Sequence, residues 1–373
     1  MYDSHLPFIG RGHTLPNHMT RNIHTLSGIR CLFAFACLPC LPCLHSASAD
    51  TLDIYASLTG KTVLRPSVLL AVPDSIVSNL PSDPTNAIAR IESALAEKGI
   101  AVVQDGPHFV RLFPTAARSS LTNSILHGAE LAALQGKEII EPGLIDFRGA
   151  DLNQVIGIYA VLSQRTVLRP VILPALNITL KTTCALNKVE ALYAFATVLA
   201  LNDICLIEDG VRFAQIVPGY MRSEVHPSAP IPEPGAKLFD PKHVPSMGVL
   251  PPSVGPVTEI ERLEQELDRL RTKFYDFMHL SDPSRCPARR LLEFYADLAR
   301  KTPVPSKNFD ATHLWFHVET PLTKAELLYA IETSFRLNNL AIIPLDAHKI
   351  RLGHISEPRQ GTAKPDANQP PKP

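Results

Sequence analysis

The sequence lacks an excess of charge, because its 36 basic and 36 acidic side chains cancel. A neutral chain has no long-range field of the kind that draws nucleic acid or an anionic membrane to a protein surface. Nucleic acid is therefore not an expected partner. Aromatic residues are also scarce, at 6 % of the chain with one tryptophan, so there is little material for an aromatic-lined ligand site.

Recognisable catalytic motifs are lacking as well. The chain contains no GxSxG, no HExxH and no paired-carboxylate motif, which predicts a protein that is not an enzyme and needs no cofactor or metal. His313 and His317 lie on one side of a predicted strand, about 13 Å apart by the strand rise, too far to share one metal ion. We expect exposed strand histidines there. Trp315 on the same side is expected to pack, with a carbohydrate contact as the alternative.

Cysteines are few outside the N-terminal segment. Four of the seven are Cys31, Cys37, Cys40 and Cys43, and the other three are Cys184, Cys205 and Cys286. The latter have no CxxC spacing, which argues against a zinc site. After export, Cys184 and Cys205 are candidates for a disulfide, and unpaired buried thiols are the alternative.

Residues 1–49 have the pattern of an export signal. Basic residues precede an apolar run from Cys31 to Leu44 that is too short to span a bilayer comfortably, and Ala47 to Ala49 supply a small-residue cleavage site. Met19 is an alternative start. An uncleaved anchor, or lipid attachment at Cys37, are the alternatives to cleavage. We expect an exported protein that is periplasmic or associated with the outer membrane, with no transmembrane span in the mature chain.

The same phrase occurs twice in the chain. IYASLTGKTVLRP at 54–66 returns as IYAVLSQRTVLRP at 158–170, so Tyr55, Arg65 and Pro66 correspond to Tyr159, Arg169 and Pro170. Aligning 54–114 with 158–218 without a gap gives about 19 identical pairs, the mark of a duplicated unit. The paired tyrosines are expected to pack a helix on a sheet, and the paired arginines to brace a strand end.

A weaker third copy lies 136 residues beyond the second. ALYA at 191–194 falls on LLYA at 327–330, and Asn202 falls on Asn338. Within each unit, apolar spacing of three and four residues predicts helices, as for Leu152 to Leu162, and alternation predicts strands, as for Leu176 to Leu180. The predicted order is αββαββ, with a hairpin at each Asp-Gly pair. The fold class is therefore α+β.

The segment TGKT at 59–62 is not expected to bind nucleotide. A phosphate-binding loop needs an earlier glycine where this chain has Tyr55, and a following helix whose N-terminus points at the phosphate. Here the predicted helix precedes the segment. The second copy reads SQRT and has lost both the glycine and the lysine.

These features together resemble the N-terminal domains of secretins, the small KH-like periplasmic modules of type II and type III secretion and type IV pilus channels. The resemblance covers 52–114 and 144–218, and 288–353 more loosely. It implies domains that contact partner proteins of such machines, here without the pore-forming region. Nucleic-acid binding by KH folds uses a GxxG clamp, which this sequence lacks.

The predicted organisation has eight parts: a signal at 1–49, domain 1 at 50–115, a linker with a helix at 116–142, domain 2 at 143–218, a proline-rich linker at 219–256, an amphipathic helix at 257–280, domain 3 at 281–355 and a disordered tail at 356–373. The helix has a capping box at Thr258 and Glu261 and a seam running from Ile260 to Phe277. The seam predicts either self-association or docking on domain 3.

The expected function is protein-protein interaction in the envelope, with a peptide- or glycan-binding module as the alternative.

Overall fold

The computed structural model describes residues 50–69, 80–117, 138–232, 236, 238–241, 259–280, 286–306 and 309–356. The expected export signal, residues 118–137 of the linker predicted to hold a helix, Thr258 of the predicted capping box and residues 357–373 of the C-terminal tail lie outside these ranges. The described residues contain both helices and small sheets, which confirms the α+β class. No helix within them is both long and apolar enough to cross a membrane.

Three segments of the chain repeat one arrangement, and we call them repeat 1 (50–115), repeat 2 (143–218) and repeat 3 (281–355). Repeat 1 contains α1 (Thr51–Thr59), β1 (Thr62–Leu64), α2 (Pro84–Glu97), β2 (Ile100–Asp105) and β3 (Phe109–Pro114). Repeat 2 is preceded by β4 (Ile139–Ile140) and contains β5 (Asp146–Asp151), α3 (Leu152–Ser163), β6 (Thr166–Leu168), β7 (Asn177–Lys181), β8 (Leu186–Asn187), α4 (Lys188–Leu201), β9 (Ile204–Asp209) and β10 (Phe213–Pro218).

Repeat 3 follows β11 (Leu238–Phe239) and a long helix, α5 (Glu259–Leu280). It contains β12 (Cys286–Pro287), α6 (Ala288–Ala299), β13 (Thr302–Val304), β14 (His313–Leu314), β15 (Leu322–Thr323), α7 (Lys324–Arg336), β16 (Leu340–Pro344) and β17 (Lys349–His354). The strand β5 precedes the first helix of repeat 2, and the predicted amphipathic helix is α5.

The main sheets of the three repeats have one topology. Their orders are β1-β3-β2, β6-β10-β9 and β13-β17-β16, each with a parallel first pair and an antiparallel second pair. The register is also shared, since Thr62 lies beside Phe109, Thr166 beside Phe213 and Thr302 beside Lys349. Equivalent residues are thus separated by 104 and 136 positions, the two offsets seen in the sequence.

The residue that ends the first helix of each repeat has a left-handed backbone. It is Gly60 in repeat 1, but Gln164 and Arg300, with φ of 56° and 55°, in the other two. Only glycine adopts this conformation without steric cost. Glycine 60 in the TGKT segment therefore ends a helix, as predicted, and does not form a phosphate loop.

The central strands of repeats 1 and 2, β3 and β10, bury both of their faces. In β10, Ala214 and Ile216 pack in the core of repeat 2, whereas Phe213 and Val217 pack in the core of repeat 3. In β3, Val110 and Leu112 lie in the core of repeat 1, and Phe109 lies in that of repeat 2. A sheet buried on both faces joins two layers, so consecutive repeats share cores.

The two segments predicted to be linkers, 116–142 and 219–256, each contribute one short strand to a repeat. Ile140 of β4 pairs with Leu186, and Phe239 of β11 pairs with Leu322. Phe239 is fully buried, with its ring centroid 6.0 Å from that of Phe274. Each strand adds hydrogen bonds at the start of a repeat's second helix and encloses apolar side chains there.

The long helix α5 docks on repeat 3, one of the two outcomes expected from its apolar seam. The ring of Phe274 stacks on that of Phe294 in α6 with centroids 5.8 Å apart. Lys273 and Asp297 form an ion pair at 2.6 Å, and Arg300 pairs with Glu266 at 2.9 Å. The seam residues Leu270 and Phe274 are therefore buried within the chain.

Candidate functional site: the repeat-repeat interfaces

A group of buried polar contacts lies between repeats 1 and 2. Asp105 ends β2 and is 2 % exposed. Its carboxylate accepts a hydrogen bond from the Tyr193 hydroxyl of α4 and lies 3.1 Å from Nε of Arg111. The Tyr193 ring packs on Phe109 at a centroid distance of 5.4 Å. A buried carboxylate with these partners is stable because both its charge and its lone pairs are compensated.

A second pair flanks this contact. His108 Nδ1 lies 2.6 Å from Oε1 of Glu190, whose other oxygen accepts from the backbone N–H of Asn187. Asn187 and Glu190 form a capping box at the start of α4. The same carboxylate therefore starts the helix and binds the neighbouring repeat, so the helix N-terminus and the interface are ordered together.

The interface between repeats 2 and 3 has the same design. Asp209, which is fully buried, accepts from the Tyr329 hydroxyl, and Phe213 packs on Tyr329 with centroids 5.5 Å apart. Arg212 Nη1 lies 3.1 Å from Glu326, which forms the capping box of α7. Asp209, Arg212 and Phe213 lie 104 residues after Asp105, His108 and Phe109, while Glu326 and Tyr329 lie 136 residues after Glu190 and Tyr193.

Backbone groups complete both interfaces. The N–H of Ser67 donates to the Asn202 side chain at 2.7 Å, and the N–H of Val171 donates to that of Asn338 at 2.9 Å. The hydroxyl of Thr62 accepts from the N–H of Thr183, and that of Thr166 accepts from Glu319. Each interface thus joins one sheet half-site, formed by an Asp, a basic residue, a Phe and a Thr, to one helix half-site, formed by a Glu, a Tyr and an Asn.

The electrostatics agree with burial of these groups. Burial raises the pKa of the Tyr193 and Tyr329 hydroxyls, and their hydrogen bonds to Asp105 and Asp209 add to the rise. A neutral phenol beside a carboxylate stays a donor to high pH. The arrangement therefore holds a donor and an acceptor together inside the interface.

Arg169 also crosses the second interface. Its guanidinium carbon lies 3.8 Å from the centroid of the Trp315 ring of repeat 3, a cation-π contact. Burial lowers the pKa of Arg169 to about 10, with partial compensation by Asp151. One face of Trp315 is therefore covered by an arginine, so the tryptophan packs as expected and offers a sugar at most its other face.

The remaining repeated residues serve the individual folds. Tyr55 donates to Glu92 at 2.6 Å and Tyr159 packs edge-on to Phe195, so both join the two helices of their repeat. Arg65 pairs with Asp50 at 3.0 Å and ties the end of β1, just before Pro66, to the start of α1. Arg169 also contacts the next repeat: its Nη1 donates to the carbonyl of Pro170 at 3.5 Å, and its guanidinium covers the ring of Trp315.

The candidate metal and disulfide residues are separated in the structure. His313 Nδ1 lies 3.0 Å from the carbonyl of Ala311, and His317 lies 3.6 Å from Glu319. In the described part of the chain no three His, Cys, Asp or Glu side chains are grouped to hold a metal ion. The suggested disulfide is wrong, since Cys184 faces Thr62 of repeat 1 and Cys205 packs toward repeat 3, and both are free thiols.

A cavity of about 800 Å³ lies between the long helix and repeat 3. Its lining is mostly aliphatic, with Leu267, Leu270 and Leu328 beside Phe239 and Ile231, and charged groups stand at Glu266, Arg300 and Lys324. Such a lining suits an apolar chain better than a sugar, which favours aromatic platforms.

Sequence reasoning found most residues of the interfaces as repeat identities but did not assign them to an interface. The Asp-Gly pairs predict hairpin turns, and ALYA and LLYA place their tyrosines on predicted helices. The signal in the sequence is a polar residue, such as Asp105 or Tyr193, that recurs at the repeat offset.

Comparison with known proteins adds no further assignment, because no family model, no curated protein and no solved structure matches this chain.

Proposed function

We propose that this chain is an exported, non-enzymatic scaffold for protein-protein interaction in a bacterial envelope, accessory to a secretion or pilus assembly. The observation that carries the proposal is that the strongest buried polar contacts of each repeat are made to its neighbour. Asp105 to Tyr193 and Asp209 to Tyr329 hold three units in a fixed order. A chain that fixes modules relative to one another suits positioning of partners more than turnover of a substrate.

The resemblance to secretin N-terminal domains supports the same proposal. In that family small KH-like modules contact other components of the machine, and the repeated sheet topology here is compatible with such modules. Fold alone does not dictate function, so the assignment depends on identifying partners.

The outer face of α3 is the natural place to look for those partners. Ile158 and Val161 lie one turn apart and are 43 % and 62 % exposed. The equivalent residues of repeat 3, Phe294 and Asp297, are those that α5 contacts. The same position on the module therefore already binds a helix once in this chain.

The test is site-specific photo-cross-linking in the native envelope. A photoreactive side chain replaces Val161, and a matched control carries it at the exposed Ser57, the equivalent position of repeat 1. Recovery of secretin, pilus or inner-membrane assembly proteins with the Val161 probe supports the scaffold role. A full-length protein that cross-links to no envelope protein from either position contradicts it.

The cavity beside α5 favours a second candidate, a peptide-binding module. Its aliphatic lining and flanking charges suit an extended apolar peptide. Calorimetric titration with peptide pools and with peptidoglycan fragments distinguishes this role. Saturable binding that is lost on Leu328→Lys supports it, and no heat of binding from either pool contradicts it.

A further inference from the structure

Two of the possible half-sites are missing from the three repeats. Repeat 3 lacks the sheet half-site, and repeat 1 lacks the helix half-site. In β17, Lys349 occupies the register position of Phe109 and Phe213, beside Thr302. The residue equivalent to Asp105 and Asp209 is Leu345, whose N–H donates to the Lys349 carbonyl at 2.9 Å. Both side chains are exposed. The sheet half-site of repeat 3 thus keeps its threonine and a basic residue, His348, but has lost its carboxylate and its ring.

The helix half-site is absent from repeat 1 in the same way. Tyr193 and Tyr329 are the sixth residues of α4 and α7, and the sixth residue of α2 is Ala89. Asn86 stands in place of Glu190 and Glu326, and Lys98 in place of Asn202 and Asn338. All three of these repeat 1 residues are exposed.

These replacements remove the contacts that hold the internal interfaces. Alanine at 89 has no hydroxyl for a carboxylate and no ring to pack on phenylalanine. The Leu345 side chain cannot accept a hydrogen bond, and covering Lys349 with a second copy would desolvate an ammonium group. An interface between the C-terminal end of one copy and the N-terminal end of another therefore lacks every strong contact found inside the chain.

If repeats 1 and 3 carried matching half-sites, copies of the chain would associate head to tail. An interface between two different surfaces of one module generates an open filament unless its rotation closes a ring, and arrays of repeats stop where a terminal repeat presents a polar outer face. The half-sites occur where a neighbour uses them: the Asp and Phe in repeats 1 and 2, and the Glu, Tyr and Asn in repeats 2 and 3.

We propose that the two half-sites form a transferable recognition pair and that the equivalent positions in the second helix of repeat 1 and the sheet of repeat 3 are altered so that copies of this chain do not associate through them. The internal pairs are occupied, and the exposed helix surface of repeat 1 does not match the exposed sheet surface of repeat 3. Copies of the chain therefore do not join end to end. This inference is independent of which envelope protein the chain binds.

The experiment restores the missing residues. The sheet graft is Leu345→Asp with Lys349→Phe, and the helix graft is Asn86→Glu, Ala89→Tyr and Lys98→Asn. Because the replaced residues are exposed, we expect both grafts to fold, which circular dichroism and Trp315 emission check. Sedimentation velocity then measures association of the wild type, each graft alone, the equimolar mixture of the two grafts, and a chain carrying both grafts.

The wild type and each single graft are expected to be monomeric. In the wild type every half-site is occupied within the chain, and in a single graft the new half-site has no unoccupied partner half-site to bind. The mixture is expected to form a one-to-one heterodimer, and the double graft an open-ended series of oligomers. Replacing Ala89→Tyr by Ala89→Phe removes only the hydroxyl and is expected to weaken the heterodimer about tenfold. A mixture of folded grafts that stays monomeric, or a wild type that polymerises end to end, overturns the proposal.

Discussion

The hydroxyl of Tyr329 is the group whose removal tests the inter-repeat chemistry most cleanly. Tyr329→Phe keeps the ring that packs on Phe213 and deletes the hydroxyl, which donates to the buried Asp209 and accepts from Gln215 at 3.2 Å. A hydrogen bond to a charged group contributes about 1.5–3 kcal/mol. Asp209 retains donors from Gln215 at 2.6 Å and the N–H of Ala229 at 2.9 Å, so the expected loss lies near the lower end of that range.

The single tryptophan makes this loss measurable at the right interface. Trp315 belongs to repeat 3 and contacts Arg169 of repeat 2, so its emission reports separation of these two repeats. In urea, a loss of about 1.5 kcal/mol lowers the midpoint of the Trp315 transition by about 0.5–1 M. The control is Tyr55→Phe, which deletes a hydroxyl bonded to Glu92 inside repeat 1 and is expected to leave the Trp315 midpoint unchanged.

A double-mutant cycle attributes the effect to the pair. Tyr329→Phe, Asp209→Asn and their combination are compared by the same transition, and the coupling free energy is expected to exceed about 0.5 kcal/mol. A Trp315 midpoint for Tyr329→Phe equal to that of the wild type would refute the reasoning, since the buried carboxylate would then gain nothing from the phenol.

Three further predictions follow from local features. Gly60→Ala is expected to lower the free energy of unfolding by about 1 kcal/mol because φ is 66° there, whereas Gly157→Ala inside α3 raises it by about 0.5–1 kcal/mol; urea titration of both variants checks the opposite signs. Burial raises the pKa of the Cys286 thiol to about 12, so the thiol stays protonated when folded and becomes a thiolate when unfolded above its ordinary value of about 8.5. Stability is therefore expected to fall as pH rises from about 8.5 toward 12, less steeply in Cys286→Ala, and alkylation at pH 8 is expected to reach Cys286 only after denaturation. Glu326→Ala removes the N-cap contact and the partner of Arg212 and is expected to lower the Trp315 midpoint, while Glu326→Gln restores part of the loss.

The elements of each repeat were predictable because their signals are local. The stripe from Leu152 to Leu162 gave α3, and the alternation around Ile178 and Leu180 gave β7, both with the expected buried side chains. The short strands β4 and β11 were missed because two-residue strands carry no periodicity. Phe239 lies in a proline-rich stretch, and its burial depends on Phe274, which is distant in the sequence.

The interfaces were not predictable from any one repeat, because a repeated residue can serve its own core or its neighbour. Tyr159 and Tyr193 illustrate the two cases, one packing inside repeat 2 and the other binding Asp105. The distinguishing pattern is which copies share the residue. A core tyrosine is present in all three, at 55, 159 and 295, whereas the interface tyrosine is present in the second and third alone.

The docking contacts described above are made by residues of the three repeats. The order of the modules is therefore encoded in their surfaces as well as in the covalent chain. A break of the polypeptide within 118–137 is expected to leave an N-terminal fragment that stays bound to the remainder. The covalent chain keeps the repeats close together, and the buried Asp-Tyr contacts determine which surface of one repeat docks on which surface of the next.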